Sequence, residues 1–203
     1  MPRLKQVPRA EVQAPHVRAT YDKHFGERDP VAEPGTKGGT PGNWWTVFAN
    51  DPAMFQMMLD RHEWQFSPER RINPVLRELA LARAGWARGS KFVFSQHCKL
   101  LRKVGGAEDK IAALPAWSGA ACYSDIEKAV LGYADDLVQN GGRTSDARFE
   151  QLHRGLSDVE ILELTFMICT YDMSATMCRA LRLEYDDVDD YVVEATHGSV
   201  SRG

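Results

Sequence analysis

From Asp51 onward, apolar residues recur every three or four positions, and each run is bounded by residues that start or stop helices. Phe55, Met58, Leu59, His62 and Phe66 fall on one helical face. Asp51-Pro52 and Asn73-Pro74 each set a capping side chain before a proline at the first helical position. Residues 75–87 are rich in Leu, Ala, Arg and Glu, all strong helix formers. Gly89 ends that helix, Ser90 caps the next one, and Gly105-Gly106 closes it. Ser124 with Glu127, and Ser157 with Glu160, are capping boxes. The first opens a helix with the stripe Ile126, Val130, Tyr133 and Leu137, stopped at Asn140-Gly141-Gly142. The second opens a long helix reaching about Arg182, whose middle, 164–169, is apolar nearly all round. Between these, 107–123 is mixed, with a short helical piece before Leu114-Pro115. No segment alternates in the manner of a strand, so the pattern dictates an all-α fold.

The ends read differently. Six of the ten prolines lie in residues 1–42, and the run from Glu33 to Asn43 is turn chemistry throughout. The expected organisation is therefore an extended arm with loops over 1–42, a helical domain over 43–185, and an acidic, frayed tail over 186–203. An arm of this kind suits wrapping a neighbouring subunit. Asp186-Asp187-Val188-Asp189-Asp190 lacks the central Gly and terminal Glu of a calcium loop and reads as solvated chain.

Composition removes several function classes. The chain has 203 residues, enough to bury roughly 70% of its unfolded surface without a metal or disulfide staple. Its net charge of −3 offers no basic field for nucleic acid or an anionic membrane. The longest apolar run, 161–170, is half the ~20 residues a bilayer span needs, and Glu163 interrupts it. No secretory signal is visible in 1–18. Cys98, Cys122, Cys169 and Cys178 stand far apart with no CxxC, which reads as reduced thiols in a cytoplasm. No P-loop, GxGxxG or GxSxG is present, and no histidine pair has metal-binding helical spacing, so neither metal nor cofactor is expected.

The chemistry-bearing residues gather in the middle of the chain. Val93, His97, Leu100, Leu101 and Val104 share a helical face, which sets His97 among apolar residues. By itself that is compatible with a core histidine bonded to a backbone carbonyl. The preceding helix carries Glu78, and a short Gly-containing joint folds the two helices into an antiparallel hairpin. Glu78 and His97 then come within reach, and a carboxylate beside an imidazole orients the ring as a general acid or base requires. Glu78 could instead pair with Arg83 or another arginine. His62 is a second histidine on an apolar face, and Trp44, Trp45, Trp86 and Tyr171 are able to wall a pocket or fill a core.

Arg77-Glu78-Leu79-Ala80-Leu81-Ala82-Arg83, a small joint, then Gln96-His97 and an apolar helix ending at Gly105 resemble the carboxymuconolactone decarboxylase family, which shares its helical fold with the alkylhydroperoxidases. The likeness runs over about 39–185, from Gly39-Thr40-Pro41-Gly42-Asn43 and 48–52 to Tyr171-Asp172-Met173 and Ala180-Leu181. Its most specific part is the spacing of 19 from Glu78 to His97. Peroxidase members carry cysteines seven and four residues before the motif histidine. Here those positions are Ser90 and Val93, so the thiolate and its resolving thiol are both missing.

The resemblance implies an alkylhydroperoxidase-like bundle and a cofactor-independent lyase. Its substrate would be an unsaturated or aromatic-derived carboxylic acid or lactone that supplies its own electron sink. His97 would be the general acid/base and Glu78 its orienting partner. Arg83 would meet a substrate carboxylate, or else pair with Glu78 or Glu163; His62, Tyr171, Trp44 and Ser90 would complete the substrate-binding set. The family also implies a homo-oligomer, a trimer or a hexamer. Two alternatives remain on the same residues: a small-molecule binding protein that kept the fold without the chemistry, and a redox protein built on Cys98.

Overall fold

The structure, a computed structural model, describes residues 1–185, and the acidic run from Asp186 lies outside them. Regular structure in the described residues is helical: α1 (Pro15–Phe25), α2 (Asn43–Phe48), α3 (Pro52–Phe66), α4 (Pro74–Arg88), α5 (Lys91–Lys103), α6 (Glu108–Ala113), α7 (Asp125–Gln139), α8 (Asp146–His153) and α9 (Asp158–Leu181). Short 3-10 turns occupy Arg9–Glu11 and Leu114–Gly119. None of these helices is long and apolar enough to cross a membrane. Contacts divide the chain into two compact groups, residues 1–70 with 177–185, and residues 71–176.

In the first group the N-terminal segment is packed, which corrects the expectation of an extended arm over 1–42. Arg3 N–H donates to the Leu181 carbonyl and Val7 N–H to that of Thr46, both at 2.9 Å. The Tyr21 hydroxyl donates to the Val7 carbonyl at 2.8 Å. The prolines misled because Pro15 starts α1 rather than breaking the chain, at a position where its missing N–H has no helical partner to lose. Val17, Tyr21 and Phe25 then recur at four-residue spacing and are buried. Gly42 sits in the left-handed region with φ 85°, and a Cβ there would stand 2.6 Å from Cζ of Phe25. The N–H groups that open α2 are satisfied from the far end of the chain. The Glu184 carboxylate accepts from Gly42 N (2.9 Å) and Trp44 N (2.6 Å), and Asn43 Oδ1 accepts from Glu184 N.

Asp51 caps α3 as expected, accepting from Ala53 N and Met54 N. The buried line on α3 is Phe55, Met58 and Gln65. His62 is therefore exposed rather than part of an apolar core face, because burial follows the 58–65 row and leaves the 55–62 row after its first residue. Its ring tilts against Phe66 at 4.7 Å.

In the second group α4 packs on α5 and α7, and the core is Leu79, Ala82, Phe94, Cys98, Leu101, Ile111, Leu114, Tyr123 and Leu131. The α4–α5 joint is two residues, Gly89 and Ser90. Gly89 takes φ 70°, ψ 27°; its N–H donates to Trp86 O and that of Ser90 to Gly85 O, both at 2.9 Å, a Schellman-type closure. Ser90 then caps α5 by accepting from Val93 N. Gly85 lets the helices touch, since a Cβ there would lie 2.6 Å from the Phe94 backbone nitrogen. The capping boxes at Ser124 and Ser157 form as read, and Ser145 caps α8, a helix with a single buried residue, Leu152.

Candidate functional site

The hairpin sets Glu78 of α4 against His97 of α5. Nδ1 of His97 lies 2.6 Å from Oε2 of Glu78, and both side chains are nearly or wholly buried. The second carboxylate oxygen accepts from Arg77 Nε at 2.7 Å. Burial by itself would push the Glu78 carboxyl up. The charge and hydrogen bond of His97, and then those of Arg77, outweigh burial and hold it below its ordinary value. Glu78 is therefore a carboxylate at neutral pH, and its bond fixes which ring nitrogen faces away from it. Nε2 of His97 makes no hydrogen bond among the described residues. Tyr171 of α9 closes one side of the ring edge-on, with centroids 4.2 Å apart at 89°. Next to His97, the Gln96 amide nitrogen is buried without a hydrogen-bond partner among the described residues. A second α9 side chain, Asp172, ties the helix to the end of α4 through Arg88, at 2.5 and 2.8 Å.

The remaining residues of the expected set have other contacts. Arg83 does not pair with Glu78 or Glu163. Its Nε and Nη2 donate to the two oxygens of Asp135 (2.6 and 3.1 Å), and its Nη1 donates to the carbonyls of Leu114 and Pro115. Trp117 Nε1 adds a third donor to Asp135 at 2.8 Å. The guanidinium is spent on holding α4, α7 and the 114–119 turn together, which takes Arg83 out of the substrate-facing set. Glu163 likewise serves the backbone, accepting from Arg71 N and Ile72 N. Ser90 is a buried helix cap. Trp44 stacks on Phe48 at 4.2 Å within the first group, where His62 also lies.

Cys98 is wholly buried in the apolar cluster, so a packing role describes it. No disulfide joins the four cysteines. Among the described residues no three histidine, cysteine or carboxylate groups stand close enough to hold a metal ion.

Arg77, as the donor that completes Glu78, was the functional residue that sequence reasoning passed over. It stands beside Glu78 in the motif, but residues i and i+1 do not share a helix face, so only the side chain's sideways reach reveals the contact.

With this geometry in view, residues 52–136 match the model of the carboxymuconolactone decarboxylase family. An uncharacterized protein, YdfG of Bacillus subtilis, is 25% identical over 118 residues, covering 58% of this chain and 79% of its own. A protein of unknown function from Agrobacterium tumefaciens, described as a putative AhpD antioxidant defence protein, is 26% identical. It superposes with a TM-score of 0.56 over 66% of this chain and 92% of its own. An alkylhydroperoxidase AhpD core protein from Ralstonia eutropha reaches a TM-score of 0.67 over 88% of this chain and 92% of its own, at 15% identity. The debrominase Bmp8 also reaches 0.67, at 13% identity, over 89% of this chain and 90% of its own. At such identities the likeness is one of fold. Residues 52–136 thus match the carboxymuconolactone decarboxylase family model, and the described residues share the all-helical fold of the alkylhydroperoxidase-like structures.

Proposed function

We propose that this protein is a cofactor-independent acid–base enzyme acting on an unsaturated or aromatic-derived carboxylic acid or lactone, by decarboxylation or a related proton transfer. The observation that carries this reading is the buried 2.6 Å pair of Glu78 and His97, with Nδ1 committed and Nε2 left for a substrate. In a decarboxylation the C–CO₂ bond breaks, and its electron pair moves into the substrate's own unsaturated system. The proton carried on Nε2 then goes to that carbon as CO₂ leaves. Glu78 keeps the ring in one orientation and holds the proton on Nδ1 throughout, and Arg77 keeps Glu78 ionised. Carboxy-lyase chemistry of this kind also fits the missing peroxidase cysteines, since the positions that would carry them hold Ser90 and Val93. Reduced thiols without disulfides support a cytoplasmic setting.

The test is CO₂ release and solvent-deuterium incorporation with a panel of unsaturated lactone acids and aromatic-derived acids. The wild-type chain is expected to turn over at least one of them, and His97→Gln to lose roughly 10²–10⁴-fold in kcat. Unchanged turnover in His97→Gln overturns the site. A second reading, a binding protein on the same fold, draws on the closure of the site: His97 is only 1% exposed and Tyr171 lies across it. It predicts saturable binding of such acids with no product on long incubation.

A further inference from the structure

One polar group of the α4–α5 hairpin takes no part in the pairing of Glu78 with His97. Gln96 precedes His97 on α5, and its amide nitrogen, Nε2, is buried without a hydrogen-bond partner among the described residues. A donor buried unpaired gives up its water for nothing, and native chains rarely leave one so. Other buried polar side chains of the second group are provided for. Arg83 donates to Asp135 and to two carbonyls, Glu127 accepts from Lys110, and Glu163 accepts from two backbone N–H groups. Gln96 has buried Val93 three residues before it and half-buried Leu100 four after, so apolar neighbours flank it along the helix. His97 Nε2, the next residue's nitrogen, likewise makes no hydrogen bond among the described residues. The two Cα atoms are ~3.8 Å apart, and consecutive residues stand ~100° apart around a helix. Two unbonded groups so placed can meet one small molecule at two different atoms without competing for either.

We propose that Gln96 donates from Nε2 to a carbonyl oxygen of the substrate's unsaturated system, while His97 Nε2 serves its carbon. The proposal rests on the acid–base reading of Glu78 and His97 and supplies what that reading leaves open, the group that receives the displaced charge. When the C–CO₂ bond breaks, its electron pair moves through the unsaturated system onto that oxygen, which becomes an enolate, and CO₂ leaves. The pair then returns to form a C–H bond with the Nε2 proton of the His97 imidazolium. Neutral imidazole and a restored carbonyl remain. Charge on the oxygen peaks between the two steps, and a buried N–H donor acts most strongly on an oxygen that carries charge. The substrate class narrows accordingly, to acids whose unsaturation ends in a lactone or ketone carbonyl conjugated with the carbon that loses CO₂. An acid with hydrocarbon unsaturation alone offers the amide nothing.

Binding of para-nitrophenol to the full chain tests this without turnover, because its phenolate is a planar, conjugated oxyanion with a visible absorption band. The wild type is expected to bind the phenolate form. Gln96→Met should bind it roughly 10–100-fold more weakly, the contribution of one hydrogen bond to a charged oxygen. The urea midpoint of Gln96→Met should equal or exceed that of the wild type, since no donor is then buried unpaired. Gln96→Glu, which sets an acceptor in place of the donor, should bind no better than Gln96→Met. A wild-type chain that does not bind the phenolate, a Gln96→Met chain that binds it as tightly, or a Gln96→Glu chain that matches the wild type overturns the proposal. So does a lowered midpoint in Gln96→Met, which would make the amide a structural group. The acid–base reading fails by a different result, unchanged turnover in His97→Gln. That outcome beside a weakened Gln96→Met would keep the oxygen site and move the proton to another group.

Discussion

Of the buried charges on helix α4, Glu78 and Arg83 stand in surroundings that teach what burial alone does not. Around Arg83 everything is paired: Asp135 takes two of its donors, two carbonyls take a third nitrogen, and Trp117 fills the carboxylate. Around Glu78 the pairing stops one atom short. Arg77 and His97 fill the carboxylate, and the imidazole ends in a nitrogen bonded to nothing in the described chain. Both clusters are buried and charged, and both hold helices in place. Only the one with leftover hydrogen-bonding capacity has something to offer a substrate.

The contrast can be broken at several points. The largest effect should come from His97→Gln, the ~10²–10⁴-fold loss of turnover given above, with little movement of the melting temperature. If turnover and stability fall together in proportion, the two clusters do the same job and the distinction fails. Arg83→Met should do the reverse. It strands Asp135, whose side chain is 20% exposed, and should cost about 2–4 kcal/mol by urea unfolding, less than a fully dry pair would. The kcat of what remains folded should match the wild type. Pairing it with Asp135→Leu should recover much of that loss, because no charge is then left alone. Next comes Gly85→Ala, which pushes a methyl group into the Phe94 backbone and should cost about 1–3 kcal/mol. Because it spreads the hairpin, it should also lower kcat, and a variant that loses stability but no activity would show the Glu78–His97 distance to be uncritical.

The smallest effect is a pH dependence. The folded-state pKa of Glu78 lies below its ordinary 4.5, so in acid the unfolded chain binds the proton more readily. The stability this contributes is complete above about pH 4.5 and drains away as pH falls through the folded value. Glu78→Gln should flatten that part of the acid limb, and superimposable limbs for the two proteins would mean that Glu78 is not held ionised.

What could be read from sequence divides along the range of the forces involved. Helix starts at Asp51, Asn73, Ser124 and Ser157 were legible because a cap is a local bond, written within four residues. The pairing of Glu78 with His97 was legible because two helices and a short joint convert a spacing of 19 into a contact. Arg83 with Asp135 was not, since 52 residues separate them and no local pattern links the two. Helix α8 was missed because one buried leucine makes no stripe, and α1 because its proline reads equally as a breaker and as a first residue. His62 shows the limit of periodicity itself: a face that is apolar by spacing turns out of the core when burial follows the neighbouring row.

The Gly89–Ser90 closure makes the hairpin a ruler. Its two carbonyl bonds leave no slack between Glu78 and His97, so the phase of one helix against the other is counted in whole residues. One residue inserted between Glu78 and Gly89, or between Ser90 and His97, would swing the downstream site residue about 100° around its helix. A substitution at the same places would move it hardly at all. The drift open to this stretch of chain is therefore one of letters and not of length, so the side chains around the ring can change while the distance from Glu78 to His97 stays the same.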